Sequence, residues 1–329
     1  MPAGLGRRTP AVIRRHPPLV KVAEGPIHAL LDEVGEQPRV LQTFSAGRLR
    51  ARVGSIFVGA GDSYAAALAG FFASRGGCLA MDPYALASSP EFADGADVYF
   101  VSVSGRTASN LLAAKKVRDH AKRTVALTAV TGSPLAGLTD RVVELPISYR
   151  PRAPGILSFS LSLLAVMMLA GVDTRCDFAA ALREARKDRV RISPARGGTT
   201  YHLGNSLGYS AALYAAAKTY EILGAKAHAE LLEEFGHLEL FSLGGSDVVN
   251  GFACFDPSGL SGRLSRALRK GGYDCGVVRS WGRSPLEKVF HAVFAVQLSI
   301  LLTAEERGIA APRFLSAGAA LEASDAMIY

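Results

Sequence analysis

Ser55-Ile56-Phe57-Val58-Gly59-Ala60-Gly61-Asp62-Ser63, followed by an alanine-rich run from Tyr64 to Ser74, decides how this chain is read. A short β-branched and aromatic run meets a glycine turn and then a helix former, which reads as strand, turn, helix. The order recurs downstream. Val98 to Val103 reads as a second buried strand, ending in the turn Ser104-Gly105-Arg106-Thr107 and a helix from Ala108 to Lys122. Thr124 to Val130 and Arg141 to Leu145 read as further strands. Strands alternating with helices predict an α/β fold, a parallel sheet with helices on both faces.

The second half repeats the pattern. Gly204 to Ala212 reads GNSLGYSAA against GAGDSYAAA at Gly59 to Ala67, and Gly245-Ser246-Asp247-Val248 parallels Gly95-Ala96-Asp97-Val98. The period is too long for a solenoid and points to two copies of one α/β unit. Gly171 to Thr199 is polar and rich in Arg and Glu, and reads as the connection. The expected division is an N-terminal arm and helix over 1–52, a first unit over 53–172, a connection over 173–199, a second unit over 200–303 and a tail over 304–329 that closes the site.

The chain has 329 residues, a length that allows two domains, and its 49% hydrophobic and 20% charged residues suit a globular protein. Its formal charge of +8 suits an anionic partner, nucleic acid or a small phosphate. Most of that charge is guanidinium, 28 Arg against 9 Lys, which also serves structural ion pairs. No basic stripe interleaved with aromatics and no helix-turn-helix pattern supports nucleic-acid binding. Four scattered cysteines and seven histidines without metal-ligand spacing lead us to expect no metal and no cofactor, and a reducing cytoplasm. The basic start, Met1 to Pro18, lacks the apolar core of a secretory signal. Ile156 to Val172 is the most apolar run but carries Ser158, Ser160 and Ser162. It reads as a buried core or interface helix rather than a membrane span.

Three places can carry chemistry. In Ser102-Val103-Ser104-Gly105-Arg106-Thr107, three hydroxyls precede a helix N-terminus, whose free N–H groups and dipole favour an anion, and Gly105 permits close backbone approach. An ordinary helix cap with spare serines fits the same residues. The turn at Gly59 to Ser63 lacks the third glycine of a dinucleotide fingerprint, because Tyr64 stands there. Both turns fall at carboxyl ends of strands, where α/β proteins bind ligands. Together they favour a sugar phosphate over a dinucleotide. The third place is Lys218, Glu221 and His237. Lys218 and Glu221 share a face of an alanine-rich helix, either as a surface ion pair or as a buried carboxylate with a raised pKa suited to a general base. Sixteen residues of continuous helix would hold His237 about 24 Å from Glu221. The two share a site only if the chain turns or His237 serves a neighbouring subunit. A capping or core role for His237 is the other reading. His291 and Gln297 read as satisfied core residues, and His228 as part of a solvated face.

Taken together these residues resemble the sugar isomerase (SIS) family. SVSGRT at Ser102 to Thr107 matches that family's SxSGxT, and GAGDSYAAA matches GxGxSxxxA. The isomerase half of glucosamine-6-phosphate synthase shows KLKE followed sixteen residues later by a His. Lys218-Thr219-Tyr220-Glu221 and His237 keep that spacing, and Ala311 to Ser316 resembles its PRNLAK tail. The resemblance runs from about Val53 to Ser316. It implies two SIS-type units, each a three-layer αβα, flavodoxin-like fold, acting on a phosphorylated sugar. Ser102, Ser104, Gly105, Thr107 and Ser63 would hold the phosphate, with Gly61, Asp62 and Ser158 as further substrate contacts. Glu221 would move a proton between C1 and C2 through an enediol or enolamine. Lys218 would orient or charge-balance Glu221. His237 would assist ring opening from a neighbouring subunit, so a homodimer with a shared site is expected, away from any membrane.

Three departures stand out. The chain has no room for a glutaminase domain, and Met1-Pro2 offers no N-terminal Cys nucleophile. The family's tail lysine is replaced by Ser316, and neither Ala317 nor any later residue restores it. The family's VASTK segment appears as Ile156-Leu157-Ser158-Phe159-Ser160, again without its lysine. The expected activity is aldose–ketose isomerisation of a hexose 6-phosphate, with or without ammonia loss from glucosamine 6-phosphate, as in stand-alone archaeal-type isomerases and deaminases. The alternatives are a phosphoglucose/phosphomannose isomerase and a non-catalytic phosphosugar sensor.

Overall fold

The computed structural model of the chain describes residues 11–13, 20–21, 27–193 and 197–329. In chain order the first half contains strands β1 (Ala11–Ile13) and β2 (Val20–Lys21), then helix α1 (Ile27–Thr43). Next come β3 (Ile56–Val58), α2 (Asp62–Ala73), β4 (Leu79–Met81), α3 (Pro83–Ser88) and β5 (Asp97–Val101). They are followed by α4 (Ala108–Lys116), β6 (Arg123–Thr128), α5 (Pro134–Leu138), β7 (Arg141–Glu144), β8 (Ile147–Ser148) and α6 (Leu157–Leu169). Helix α7 (Phe178–Ala185) precedes the second half: β9 (Thr200–Gly204), α8 (Leu207–Lys218), β10 (Ala227–Leu231), α9 (Leu232–His237), β11 (Val248–Phe252), α10 (Leu260–Lys270), β12 (Asp274–Val278) and α11 (Pro285–Glu306). A last helix, α12 (Ala319–Ile328), ends the chain.

The fold is α/β with two parallel sheets. The first runs β1-β7-β6-β5-β3-β4, with every neighbouring pair parallel. The second runs β10-β9-β11-β12, also parallel throughout. Its order repeats that of β4-β3-β5-β6, so the copies agree in topology as well as in sequence. A short parallel pair joins β2 to β8. Parallel strands covered on both faces are buried along their whole length and read as mostly apolar runs. All five residues of β5 and all five of β9 are buried.

Between the sheets, α2 packs on α6 and α8, and α11 packs on α8, α7 and α1. Helix α6 is buried at all 13 residues, as expected of a core helix. Its Ser162 hydroxyl donates to the Ser158 carbonyl at 2.9 Å, which satisfies a polar atom without leaving the helix. Helix α11 is long and apolar enough to cross a membrane, but 83% of its apolar window is buried inside the fold. Its Gln297 amide reaches Tyr214, Ser160 and the Ile156 carbonyl, and so ties α11 to α8 and α6.

Several boundaries differ from the sequence expectation. The helix after Thr107 ends at Lys116, where a 3₁₀ turn over Val117–Asp119 replaces the last predicted turn. Strand β3 runs up to Gly59 as expected, whereas β5 ends at Val101 and β6 at Thr128, each two residues before the expected end. Strand β4, three residues with partly exposed side chains, gave too short a pattern to predict. At the start of β5, Asp97 is 1% exposed and held by Arg52 (3.0 Å) and Arg123 (2.6 Å). Burial alone would raise its pKa, but the two guanidinium groups hold it below the usual carboxylate range.

Candidate active site

Strand β5 ends at Val101 and delivers the turn Ser102 to Thr107 to the head of α4. Gly105 has φ +61°, and a Cβ built on it would lie 2.1 Å from Ser133 Oγ, so only glycine fits. Its N–H donates to the Ser102 carbonyl at 3.1 Å. Ser104 Oγ accepts from the Arg106 N–H at 3.2 Å, and the hydroxyls of Ser102 and Thr107 lie 3.4 Å apart. Thr107 is the N-cap of α4, yet its side chain makes no capping bond. The helix therefore presents first-turn N–H groups beside three hydroxyls.

The second copy treats the same position differently. After β11 the Asp256 carboxylate accepts from the Leu260 N–H (3.0 Å), the Ser261 N–H (2.8 Å) and the Ser261 hydroxyl (2.6 Å). Burial opposes the Asp256 charge, but these bonds win and its pKa falls below the ordinary value. The head of α10 thus carries its own anion, whereas the head of α4 does not.

The α4 turn opens on a cavity of about 500 Å³. Ser63, Ser102, Ser104, Thr107 and Ser158 line it, as do the carboxylates Asp62 and Glu221. Gly61, with φ +58°, turns the chain into α2 so that Asp62 and Ser63 stand at its first residues.

Lys218 closes α8 and is fully buried. Its Nζ lies 2.7 Å from Asp62 Oδ2 and also bonds Glu221 Oε2. Burial works against its charge, but Asp62 and Glu221 outweigh burial and raise its pKa. Glu221 and Lys218 still meet at i, i+3, although the chain has changed from α8 into a π turn over Thr219–Leu223 that Gly224 ends with φ +61°. Glu221 itself is not the buried acid expected from the apolar helix: its side chain is 36% exposed, toward the cavity. The more buried acid is Asp62, its side chain 20% exposed, whose pKa is pushed up to about 6 by burial against the pull of Lys218. Among the described residues its Oδ1 has no hydrogen-bond partner.

His202, on β9, anchors the π turn. The Thr219 hydroxyl donates its one proton to the Ala215 carbonyl at 2.8 Å. The His202 ring, 3.2 Å from that hydroxyl, must therefore donate through Nε2–H. Nδ1 is left buried and unpaired, and burial lowers the imidazole pKa to about 3.

The sequence analysis expected a tail over 304–329 at the site but named no residue of the opposite wall. Tyr149, Arg150 and Arg152 contribute to it, and so does α12 through Leu321, Asp325 and the terminal Tyr329. Arg152 pairs with Asp325 at 2.5 Å. Tyr149 hydrogen-bonds Tyr329 and Ser104, and burial, reinforced by Tyr329, pushes its phenol up to about 12. The dibasic Arg150-Pro151-Arg152 ahead of an apolar helix was the available signal, but a surface loop gives the same pattern.

His237 does not line the cavity. The chain turns at Gly224 and crosses β10 before reaching α9, where His237 is exposed and sits 3.5 Å from Glu233. It does not meet Glu221 within one chain. His228 is exposed as expected and faces Glu239 (3.1 Å) and Glu230 (3.7 Å), a grouping of metal-capable side chains that sequence spacing did not reveal. His291 is buried beside Asp188 at 3.0 Å.

Comparison with known proteins gives this geometry a family. Residues 53–171 match the family model of the SIS domain. The SIS model thus covers the first of the two α/β units. The crystal structure of glucosamine-6-phosphate deaminase from Thermotoga maritima superposes with a TM-score of 0.71 at 20% identity, covering 86% of this chain and 96% of that one. Tagatose-6-phosphate ketose/aldose isomerase from Escherichia coli gives 0.63 at 17% identity, over 87% and 89%. The C-terminal domain of glucosamine-fructose-6-phosphate aminotransferase from Francisella tularensis gives 0.61 at 17%, over 83% and 93%. At these identities the likeness fixes the fold. No curated protein matches the chain by sequence.

Proposed function

We propose that this SIS protein is a sugar-phosphate aldose–ketose isomerase with Glu221 as its base. One observation carries the reading: a carboxylate paired to a buried ammonium and an uncapped hydroxyl turn line the same cavity. Ser102, Ser104, Thr107 and Ser63 hold the phosphate, with Gly105 allowing its approach and the α4 dipole opposing its charge. Gly61 shapes the turn that carries Ser63, and Ser158 contacts the sugar from α6. Glu221 takes the proton from C2 of the open-chain aldose and returns it to C1, while a proton moves the same way between the two oxygens, from O2 to O1. Lys218 keeps Glu221 oriented and balances its charge. His237 assists ring opening in the site of a neighbouring subunit, which makes the working unit a homodimer. With glucosamine 6-phosphate the same enolisation gives an enolamine; reprotonation at C1 turns it into the C2 imine, which water hydrolyses to the ketone with release of ammonia.

The names of the similar structures, a glucosamine-6-phosphate deaminase and a tagatose-6-phosphate isomerase, support this substrate class. The test is proton NMR in D₂O with hexose 6-phosphates, glucosamine 6-phosphate included. Exchange at C1 or C2 is expected, and any ammonia released selects the deaminase branch over a phosphoglucose or phosphomannose isomerase. Binding without exchange would make the protein a phosphosugar sensor, the reading to which Ser316 in the lysine's place lends weight.

A further inference from the structure

The resemblance to the SIS family gives position 62 no catalytic part, yet the residue there is an acid with unusual surroundings. Its side chain reaches from the head of α2 across to the end of α8, 156 residues away in sequence, and meets Lys218. The wall is cut to receive it: a Cβ on Gly155 would lie 2.2 Å from Asp62 Oδ2 and 3.7 Å from Lys218 Nζ. Tyr214 fixes that wall by donating to the Gly155 carbonyl at 2.8 Å, and its ring lies against the ammonium, 5.5 Å from Nζ. Lys218 therefore has two carboxylate partners and no contact with solvent.

We propose that Asp62 is a positioning residue that sets the basicity of Glu221 by sharing the Lys218 ammonium with it. The inference rests on Glu221 being the base. With Asp62 ionised, one positive charge serves two carboxylates, the cluster carries a net charge of −1, and Glu221 is the stronger base. With Asp62 protonated, the whole field of the ammonium falls on Glu221, which then holds a proton less well. Because burial brings Asp62 to about 6, this exchange falls within the working pH range.

Few other groups face Asp62. Helix α8 supplies Lys218 and Tyr214, and the π turn supplies Glu221. Helix α6 and strands β3 and β4 carry no ionisable side chain. Asp97 of β5 is engaged by Arg52 and Arg123, and Tyr64 lies on α2 itself. Across the cavity stand Arg150 and Arg152, the latter paired to Asp325.

The test is a ¹³C-carboxyl NMR titration of the full chain between pH 5 and 8, in wild type and Asp62→Asn, with the acid limb of kcat measured on both. Asparagine keeps the shape and can still accept from Lys218. In wild type the Asp62 and Glu221 carboxyl signals should move together near pH 6, and Asp62→Asn should remove that step from Glu221. Its kcat should be about tenfold lower at pH 8, level from pH 8 down to 5.5, with KM unchanged. Asp62→Glu should restore the limb. A Glu221 signal indifferent to Asp62, in the variant or across the wild-type titration should the variant not fold, would overturn the proposal. A wild-type protein without exchange on any sugar phosphate would instead overturn the isomerase reading, and the carboxyl shifts would still decide whether Asp62 and Glu221 are coupled.

Discussion

Gly61 and Ser206 hold the same rare backbone conformation, φ 58° and ψ −128° in one and φ 52° and ψ −131° in the other, at the heads of α2 and α8. The agreement extends to the glycines two residues earlier. A Cβ on Gly59 would lie 2.5 Å from the Ser63 carbonyl oxygen, and one on Gly204 would lie 2.3 Å from that of Gly208. Both turns press a strand end onto the first turn of a helix, and glycine alone leaves room. The second copy keeps this conformation with a serine, at a cost of the order of 1 kcal/mol. Ser206→Gly should therefore stabilise the protein slightly, which thermal denaturation will show.

Glu221→Gln should lower turnover about 10²- to 10⁴-fold, the usual contribution of a general base. Sugar-phosphate affinity should change little, because the hydroxyl turn is untouched. Isothermal titration beside the D₂O exchange assay separates the two effects. Retained exchange would exclude Glu221 as the base.

Ser104→Ala should weaken phosphate-ester binding about tenfold, or roughly 1.4 kcal/mol, the worth of one hydrogen bond to a charged group. Ser258→Ala, at the corresponding turn of the second copy, should leave it unchanged, because Asp256 already fills that helix head. Calorimetry should give one phosphate ester per chain.

The neutral His202 makes stability depend on acid. Its imidazole falls from 6.5 to about 3 on folding, so its contribution is complete above pH 6.5 and is lost as the pH drops toward 3, on the order of 5 kcal/mol in all. Asp62 has the opposite sign: its pKa rises from 3.8 to about 6, so it favours the fold most at low pH and less as the pH passes 6. His202→Leu should flatten urea-denaturation stability between pH 6.5 and 4, and Asp62→Asn should steepen the acid loss over the same range.

Removing residues 319–329 should leave the melting temperature within a few degrees of wild type, since no residue of α12 is buried. Turnover should nevertheless fall at least tenfold, because the deletion strips Leu321, Asp325 and Tyr329 from the cavity wall and admits water. Circular dichroism and the exchange assay measure the two outcomes.

Mixing Glu221→Gln with His237→Ala should restore activity that neither variant has alone, because a mixed dimer contains one site with both residues intact. A mixture as inactive as its components would remove His237 from the shared site.

How much of this was legible in the sequence follows from how far apart the cooperating residues lie. The strand–turn–helix units were readable because each is local, a short continuous apolar run meeting a glycine. SVSGRT and the pair Lys218 and Glu221 were readable for the same reason. The bond from Lys218 to Asp62 spans 156 residues and is made by the packing of α2 on α8, which no local pattern encodes. The same holds for Arg152 with Asp325, 173 residues apart. The deeper of the two acids is Asp62, not Glu221, because the π turn swings Glu221 out to the cavity while α8 keeps Lys218 inside.

The duplicated unit has divided its labour. The first copy supplies the α4 hydroxyl turn and Asp62, the second supplies Lys218 and Glu221, and Asp256 fills the corresponding helix head of the second copy. On the proposed function, neither copy by itself would have both a grip on the ligand and a base to act on it. A chain cut within the connection should yield two inert fragments, and any mutational drift in the packing of α2 against α8 would disable the chemistry while leaving each sheet whole.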